Sequence, residues 1–327
     1  MIITKTPFRI SLVGGGTDLR DFYKHESGCV ISTSIDKYIY LSMHEYFHPD
    51  RYLLKYSKTE NVGSIAEIEH RIIKEVFRKF DIKNVDFNST ADIPSGTGMG
   101  SSSSFTCGLI NLCSHYVGIS LPKYEIARLA CEIEIDVLNE PIGKQDQYGC
   151  AIGGLKFIKF NADESVEIKP IFLQQEKLSE LESNLLLFYT NKTREASSIL
   201  KEQVVNCISN SATRENLKSL YKLTLALYND LQSNNIESIG HYLNESWIKK
   251  RELASKISNS ELDFLYQKAI DSGASGGKLL GAGGGGFFLF YVDKEYHGKI
   301  RSTLKGYNYK ELPFLFDYNG TELIFNK

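Results

Sequence analysis

The stretch that decides how this chain folds is PSGTGMGSSSS at residues 94–104, with three alternate glycines followed by four serines. Its composition alone would suit a flexible linker. Its flanks favour another interpretation. Residues 85–93 alternate as a strand does, and apolar residues after the serines recur with helical spacing, which predicts a helix from about Ser101 to Val117. A glycine-rich loop between a strand and a helix N-terminus is typical of a backbone anion-binding site.

Composition restricts the class of protein. The 327 residues are 42% hydrophobic and 24% charged, with a formal net charge of −2. These values indicate a globular protein, and they favour neither nucleic acid nor an anionic membrane as a partner. The longest apolar run, at 287–292, is too short to cross a bilayer, and the start lacks a secretory signal pattern, so we expect a cytoplasmic protein. The six scattered cysteines predict buried thiols rather than disulfides or a zinc site.

Strand and helix patterns are mixed along the chain, with few regular βαβ units, so we predict an α+β fold. Besides the elements around the glycine loop, the spacing predicts a helix over 65–80 and another after Pro122 with its apolar face through Val137. The polar, weakly periodic stretch 161–184 marks the expected domain boundary. The predicted domains are residues 1–170 and 171–327, with the boundary placed to about ten residues.

Two further glycine segments compete as phosphate binders. VGGGTDL at 13–19 would need a glycine where Leu19 stands to complete a dinucleotide-binding fingerprint. GGKLLG at 276–281 has Leu279 where a Walker A motif needs a hydroxyl for Mg²⁺. The loop at 94–104 is therefore the predicted phosphate site, against the alternative of a tight turn with a serine N-cap.

Three motifs in order resemble those of the GHMP small-molecule kinases. The phosphate motif of that family, Pro-x-x-x-Gly-Leu-Gly-Ser-Ser-Ala, is similar to 94–103, with Met99 for Leu and Ser103 for Ala. An N-terminal motif, Pro-x-Arg-x-x-x-x-Gly-x-x-Thr-Asp, is similar to 7–18, and the C-terminal glycine motif is similar to 276–286. The resemblance implies an N-terminal S5-like domain, a C-terminal ferredoxin-like α+β domain and an active site between them.

The resemblance also implies ATP and Mg²⁺ as cofactors. The implied ATP-binding residues are Pro94, Gly96, Gly98, Met99, Gly100, Ser101, Ser102 and Ser103. The implied metal ligands are the Ser102 hydroxyl and Glu134, which precedes Pro141 by the family's seven residues. On an ideal helix Glu134 would lie about 80° from the centre of the apolar face, at its edge.

The loop PIGKQDQYG at 141–149 resembles the family segment that carries the catalytic base, which makes Asp146 the expected base. Arg9 aligns with an arginine near that base, and its charge would keep the carboxylate ionised. The alternatives are a capping role for Asp146 and a surface ion pair for Arg9. A non-catalytic sugar or nucleotide sensor on the same fold would not need an intact base and metal carboxylate, so the enzyme interpretation is favoured.

The substrate expectation is a small-molecule sugar phosphate. Gly15 and Gly16 stand where galactokinases carry polar sugar contacts, which argues against galactose. The combined motifs are similar to bacterial heptose 7-phosphate 1-kinases and L-fucokinases, and the chain length favours the heptose phosphate over L-fucose or another hexose. Basic residues would hold the existing phosphate, although a solvated helix end with Trp247 in the core is an equal alternative. Oligomeric state stays open. The predicted substrate-binding residues are Gly15, Gly16, Thr17, Asp18, Arg194, Lys250, Gly283 and Gly284.

Overall fold

A computed structural model describes residues 1–193 and 197–327. The strands are β1 (Ile2–Val13), β2 (Gly28–Glu45), β3 (Tyr52–Lys55), β4 (Thr59–Val62), β5 (Val85–Ala91), β6 (Leu155–Phe160), β7 (Val166–Pro170), β8 (Leu185–Tyr189), β9 (Ala274–Leu279), β10 (Phe287–Val292), β11 (Lys310–Glu311), β12 (Phe316–Asp317) and β13 (Glu322–Asn326).

The α-helices are α1 (Arg20–Glu26), α2 (Arg71–Lys79), α3 (Ser101–Tyr116), α4 (Lys123–Cys131), α5 (Gln145–Ala151), α6 (Gln175–Asn184), α7 (Ser197–Ser209), α8 (Ser211–Gln232), α9 (Ile239–Arg251), α10 (Ser260–Asp271) and α11 (His297–Gly306). Two short 3₁₀ turns, Ile65–Glu67 and Lys294–Tyr296, and a π-helical segment, Glu132–Val137, complete the described elements. None of these helices combines the length and apolarity that a bilayer crossing requires.

Two mostly antiparallel sheets organise the chain. The larger follows the order β13-β1-β2-β5-β3-β4, with β12 and β6 also paired to β2 and β7 paired to β6. The smaller has the order β11-β8-β10-β9. One hydrophobic core contains residues of both sheets, for example Leu41 and Leu289, and a second fills the space around Trp247. The predicted α+β class is confirmed.

The C-terminal strands β12 and β13 belong to the larger sheet, although the predicted division into residues 1–170 and 171–327 places them in the second domain. Strand β13 pairs with the start of β1, and β12 pairs with β2, so both extend the larger sheet. The reason is local: β1 would otherwise present an unpaired edge, and β13 supplies the missing hydrogen bonds. The proposed boundary stretch 161–184 is also structured, because it contains β7 and α6.

Several predicted elements are found, and others differ. Helix α3 runs over Ser101–Tyr116, as its spacing predicts, and β5 precedes the glycine loop. The predicted helix over 65–80 is instead a 3₁₀ turn followed by α2, because Glu60 accepts backbone N–H groups of Glu69 and His70 between them. Residues 28–45 form one long strand, β2. All six cysteines are buried free thiols, as predicted.

Candidate active site

The glycine loop 94–104 enters α3 in a left-handed backbone conformation. Gly96, Gly98 and Gly100 all have positive φ, between 74° and 82°. Gly98 has a second constraint, because a Cβ atom on it would lie 2.5 Å from the carbonyl oxygen of Leu280. The loop therefore packs backbone to backbone against the C-terminal glycine segment, and only glycine permits this approach. The first residues of α3, Ser101–Ser103, line a cavity beside this loop, and the N-terminal N–H groups of a helix are suited to bind an anion.

Lys250 on α9 supports that contact. Its Nζ donates a hydrogen bond to the carbonyl oxygen of Leu279 at 2.8 Å and another to that of Gly281. The side chain is only 6% exposed, yet it lines the cavity beside the loop. Lys250 thus joins a helix of the second half of the chain to the segment that packs against the glycine loop.

Arg9 and Asp146 form a tight ion pair under the loop. The Nε and Nη2 atoms of Arg9 donate to Asp146 Oδ1 at 2.9 and 2.6 Å, and Nη1 donates to the Gly98 carbonyl at 2.9 Å. Arg9 is 2% exposed, so the alternative of a surface ion pair does not apply. Asp146 keeps 28% of its side chain accessible, and no described residue donates a hydrogen bond to its Oδ2. The pair therefore presents one carboxylate oxygen to the cavity.

Asp18 lies close to this pair. Its Oδ1 accepts from the Gly16 N–H at 2.9 Å and from Gln145 Nε2 at 3.1 Å, and its Oδ2 accepts from the Gln145 N–H at 3.2 Å. Gly143 permits the close approach, since a Cβ there would lie 2.0 Å from Oδ2. Burial, together with the charge of Asp146, raises the pKa of Asp18 to about 6.

Glu134 lies in the π-helical segment that follows α4, and this changes its position. The sequence predicted Glu134 at the edge of the apolar face and Val137 within it. In the structure Glu134 is 0% exposed and Val137 is 48% exposed. The N–H of Leu138 bonds to the carbonyl of Ile133, five residues back, and this wider turn rotates the residues that follow out of the α-helical register. The prediction that Glu134 lies at the edge of the apolar helix face was therefore wrong.

The Glu134 carboxylate meets three side chains from two elements. Ser102 Oγ donates to Oε1 at 2.5 Å, while Ser103 Oγ and Gln147 Nε2 both donate to Oε2 at 2.8 Å. Burial raises the pKa of Glu134, and these hydrogen bonds oppose that shift. A buried carboxylate beside an exposed serine hydroxyl at the start of a helix is an oxygen donor set that fits Mg²⁺. Ser102 and Glu134 are thus the residues that could hold the metal.

A cavity of about 460 Å³ joins these groups. Of the predicted site residues, it is lined by Arg9, Gly15, Gly16, Asp18, Gly96, Gly98, Gly100, Ser101, Ser102, Ser103, Asp146 and Lys250. Pro94, Met99, Thr17 and Glu134 are not among its lining residues: the last three are buried, and Pro94 is exposed. Thr17 has a structural contact there, because its hydroxyl oxygen accepts the N–H of Cys29 at 3.0 Å. The structure therefore brings the predicted phosphate, base and sugar positions to one cavity.

Other predicted substrate contacts are placed differently. Gly283 and Gly284 are outside the cavity lining: a Cβ on Gly283 would meet Ile257, whose carbonyl accepts the Gly284 N–H at 2.8 Å. Gly283 and Gly284 therefore have a packing role, because the glycine segment lies directly against Ile257. Arg194 lies outside the described residues. Trp247 is 0% exposed and packs edge-on against Phe288, which confirms the alternative that it belongs to the core.

Sequence reasoning missed several residues at the cavity. His70 and Arg71 start α2 at one end, and Gln145 and Gln203 reach it from other elements. Gln147 was visible within PIGKQDQYG, but its contact with Glu134 depends on how α5 packs against the π-helical segment. Isolated polar residues on different elements share no spacing pattern, so the sequence alone carries no signal that groups them.

Comparison with known proteins agrees with this arrangement. Residues 67–154 match the family described as GHMP kinases N terminal domain, and residues 227–310 match GHMP kinases C terminal. A D-glycero-alpha-D-manno-heptose 7-phosphate kinase of Campylobacter jejuni is 31% identical over 333 residues, covering 98% of this chain and 97% of that protein. A bifunctional fucokinase/GDP-fucose pyrophosphorylase of Arabidopsis thaliana is 27% identical, covering 72% of this chain and 22% of that protein.

The fold has a solved counterpart. The crystal structure of a D-glycero-D-manno-heptose 1-phosphate kinase from Bacteroides thetaiotaomicron superposes with a TM-score of 0.81 over the full length of both chains, at 23% identity. This likeness confirms the predicted two-domain fold. Since both family domains match and one relative is 31% identical over nearly the whole length, the chain belongs to the GHMP kinases, as a sugar kinase of that family.

Proposed function

We propose that this protein transfers the γ-phosphoryl group of ATP to the anomeric hydroxyl of a sugar. The observation that carries the proposal is the Arg9–Asp146 pair, which presents a carboxylate to the cavity directly beside the phosphate loop. A kinase needs these parts within one site: an anion-binding loop for the nucleotide and a base for the acceptor hydroxyl. A sugar or nucleotide sensor would not need the base.

Asp146 is the proposed base. Its Oδ2 would accept the proton of the anomeric hydroxyl while the sugar oxygen forms its bond to the γ-phosphorus and the bond to ADP breaks. Arg9 holds the other oxygen of the carboxylate through two hydrogen bonds, which fixes the direction of Oδ2. The positive charge of Arg9, 2.6 Å from Asp146 Oδ1, also balances the charge of the carboxylate beside the cavity.

Ser102 and Glu134 are the proposed ligands of Mg²⁺. The ion, when bound, would neutralise charge on the nucleotide phosphates. Glu134 is fully buried and reaches Ser102 at the start of α3, so the carboxylate lies below the phosphate loop rather than in solvent. The loop residues 96–103 would contact the phosphates through backbone N–H groups, and the Ser101 hydroxyl would add a side-chain contact.

The proposed substrate is D-glycero-D-manno-heptose 7-phosphate, and the product is the 1,7-bisphosphate. The Campylobacter relative supports this choice through its similarity along 98% of the chain. Gly15 and Gly16 leave room at the sugar end, where Asp18 and Gln145 supply polar groups. Lys250 lines the same cavity and is the proposed partner of the existing phosphate. L-fucose and other hexoses are the alternative acceptors.

A substrate panel tests the acceptor. Coupled ADP release, measured with ATP and Mg²⁺, should be fastest with heptose 7-phosphate, and the product should carry phosphate at both ends. Faster release with L-fucose or another unphosphorylated sugar would reject the heptose assignment but leave the kinase intact. ATP binding without turnover on any sugar would favour the sensor.

Asp146→Asn tests the base, and the chain offers a matched control. Asp146→Asn should abolish turnover while sparing ATP binding, because the amide cannot accept the proton. Arg20 and Asp136 form an ion pair of similar length, 2.7 Å, on the surface, so Asp136→Asn removes an equivalent charge away from the cavity. It should leave turnover unchanged. Retained turnover in Asp146→Asn would remove Asp146 from the base role.

A further inference from the structure

The two oxygens of the Glu134 carboxylate have different surroundings. Oε1 accepts a hydrogen bond only from Ser102 among the described residues. Oε2 accepts two hydrogen bonds of 2.8 Å, from Ser103 Oγ and Gln147 Nε2. Because a carboxylate oxygen offers two lone-pair directions, this pair of donors leaves Oε2 with little remaining capacity. Oε1 is therefore the oxygen that stays available on the Ser102 side.

Gln147 is held in one orientation by this contact. Its side chain is 0% exposed, and its Oε1 atom has no hydrogen-bond donor among the described residues. Turning the amide over would place that oxygen against the Glu134 carboxylate, so the geometry fixes Nε2 on Glu134. A buried amide with an unsatisfied oxygen costs folded-state stability that an apolar side chain would avoid. What a glutamine contributes at position 147 is therefore the hydrogen bond from its Nε2 atom to Glu134.

Ser103 makes the second contact from a different element. It is 1% exposed on the first turn of α3, and its hydroxyl points at Oε2 rather than back to its own helix. The neighbouring Ser104 is equally buried but donates to the backbone oxygens of Thr6 and Pro7. Two adjacent hydroxyls of one helix thus have separate partners, a carboxylate for the first and a strand for the second.

We propose that Ser103 and Gln147 clamp Oε2 of Glu134 from two sides, so that Oε1 alone is presented to the metal as a single-oxygen ligand. This proposal rests on the proposed metal site. Ser103 and Gln147 are positioning residues, because they act through Glu134 and do not themselves contact the ion. Ser102, the only described donor to Oε1, is the hydroxyl that can exchange this hydrogen bond for a metal contact.

The test measures metal binding directly. Mn²⁺ is titrated into protein saturated with the non-hydrolysable nucleotide AMP-PNP, and free Mn²⁺ is followed by electron paramagnetic resonance. Gln147→Met keeps the side-chain length but removes the donor, and it should weaken Mn²⁺ binding about 10- to 100-fold, the usual effect of losing a partner of a metal ligand. Ser103→Ala should weaken it in the same direction, by about 10-fold. Ser104→Ala is the matched control and should leave Mn²⁺ affinity unchanged.

Activity gives an independent readout. In Gln147→Met and Ser103→Ala, raising Mg²⁺ should restore kcat, whereas a general packing defect would not respond to the metal. Wild-type Mn²⁺ affinity in a folded Gln147→Met protein would overturn the clamp. If Gln147→Met does not fold, equal affinities in Ser103→Ala and Ser104→Ala overturn it instead. Wild-type protein that binds no Mn²⁺ with AMP-PNP would reject the proposed metal site itself, a result that is separate from failure of the clamp.

Discussion

Gly98→Ala probes the contact between the phosphate loop and the C-terminal glycine segment, and Gly118→Ala provides its control. The two glycines have nearly the same backbone angle, with φ of 82° at Gly98 and 80° at Gly118. A Cβ on Gly98 would lie 2.5 Å from the Leu280 carbonyl oxygen, whereas a Cβ on Gly118 would meet nothing within 4 Å. The substitutions therefore share the backbone strain and differ in the steric contact.

The expected magnitudes follow from that difference. An alanine in the left-handed region costs about 1–2 kcal/mol, and this applies to both variants. Overpacking against the Leu280 backbone should cost Gly98→Ala about 1–3 kcal/mol more, because a carbonyl group cannot rotate away as a side chain can. The free energy of unfolding should thus fall by about 1–2 kcal/mol in Gly118→Ala and by about 2–5 kcal/mol in Gly98→Ala.

The assay pairs urea unfolding with the Michaelis constant for ATP. Gly98→Ala should raise KM for ATP at least about 10-fold, since 1.4 kcal/mol of lost binding corresponds to that factor. Gly118→Ala, which lies at the far end of α3, should leave KM unchanged. If the two variants lose the same stability and keep the same KM, the two glycine segments do not depend on each other as the contact implies.

Three further predictions concern polar and charged side chains. The folded state binds a proton on Asp18 more tightly than the unfolded chain, because burial raises its pKa from 3.8 to about 6. Between pH 4 and pH 7 the free energy of unfolding of the wild type, measured with urea, should therefore fall by about 2–3 kcal/mol relative to that of Asp18→Asn. A difference between the two proteins that does not change with pH would contradict this. Lys250→Ala should raise KM mainly for the phosphorylated sugar; equal increases for unphosphorylated sugars would assign Lys250 to the loop alone. Ser104→Ala should lower stability by about 1 kcal/mol and retain turnover, whereas Ser102→Ala should lose turnover, as steady-state kinetics will show.

Much of the fold could be predicted because its signals are local. The alternation of β5, the glycines at 96, 98 and 100 and the helical spacing of α3 are contiguous, and each is found where its pattern placed it. The pairing of the C-terminal strands β12 and β13 with the sheet of the N-terminal half could not be predicted, since a short strand pattern does not specify its partner. Partner choice depends on which edge the rest of the fold leaves unpaired.

What the sequence determined by itself is the set of chemical groups: a glycine-rich loop at a helix start, and the motifs that carry Arg9 and Asp146. Tertiary structure decided how they meet. It buries Glu134 through a π-helical turn that no periodicity indicates, and it brings Gln147 and Ser103 to one carboxylate oxygen. The reason is physical: residue spacing defines the face of a single regular element, whereas orientation between elements follows from packing, which only the folded chain specifies.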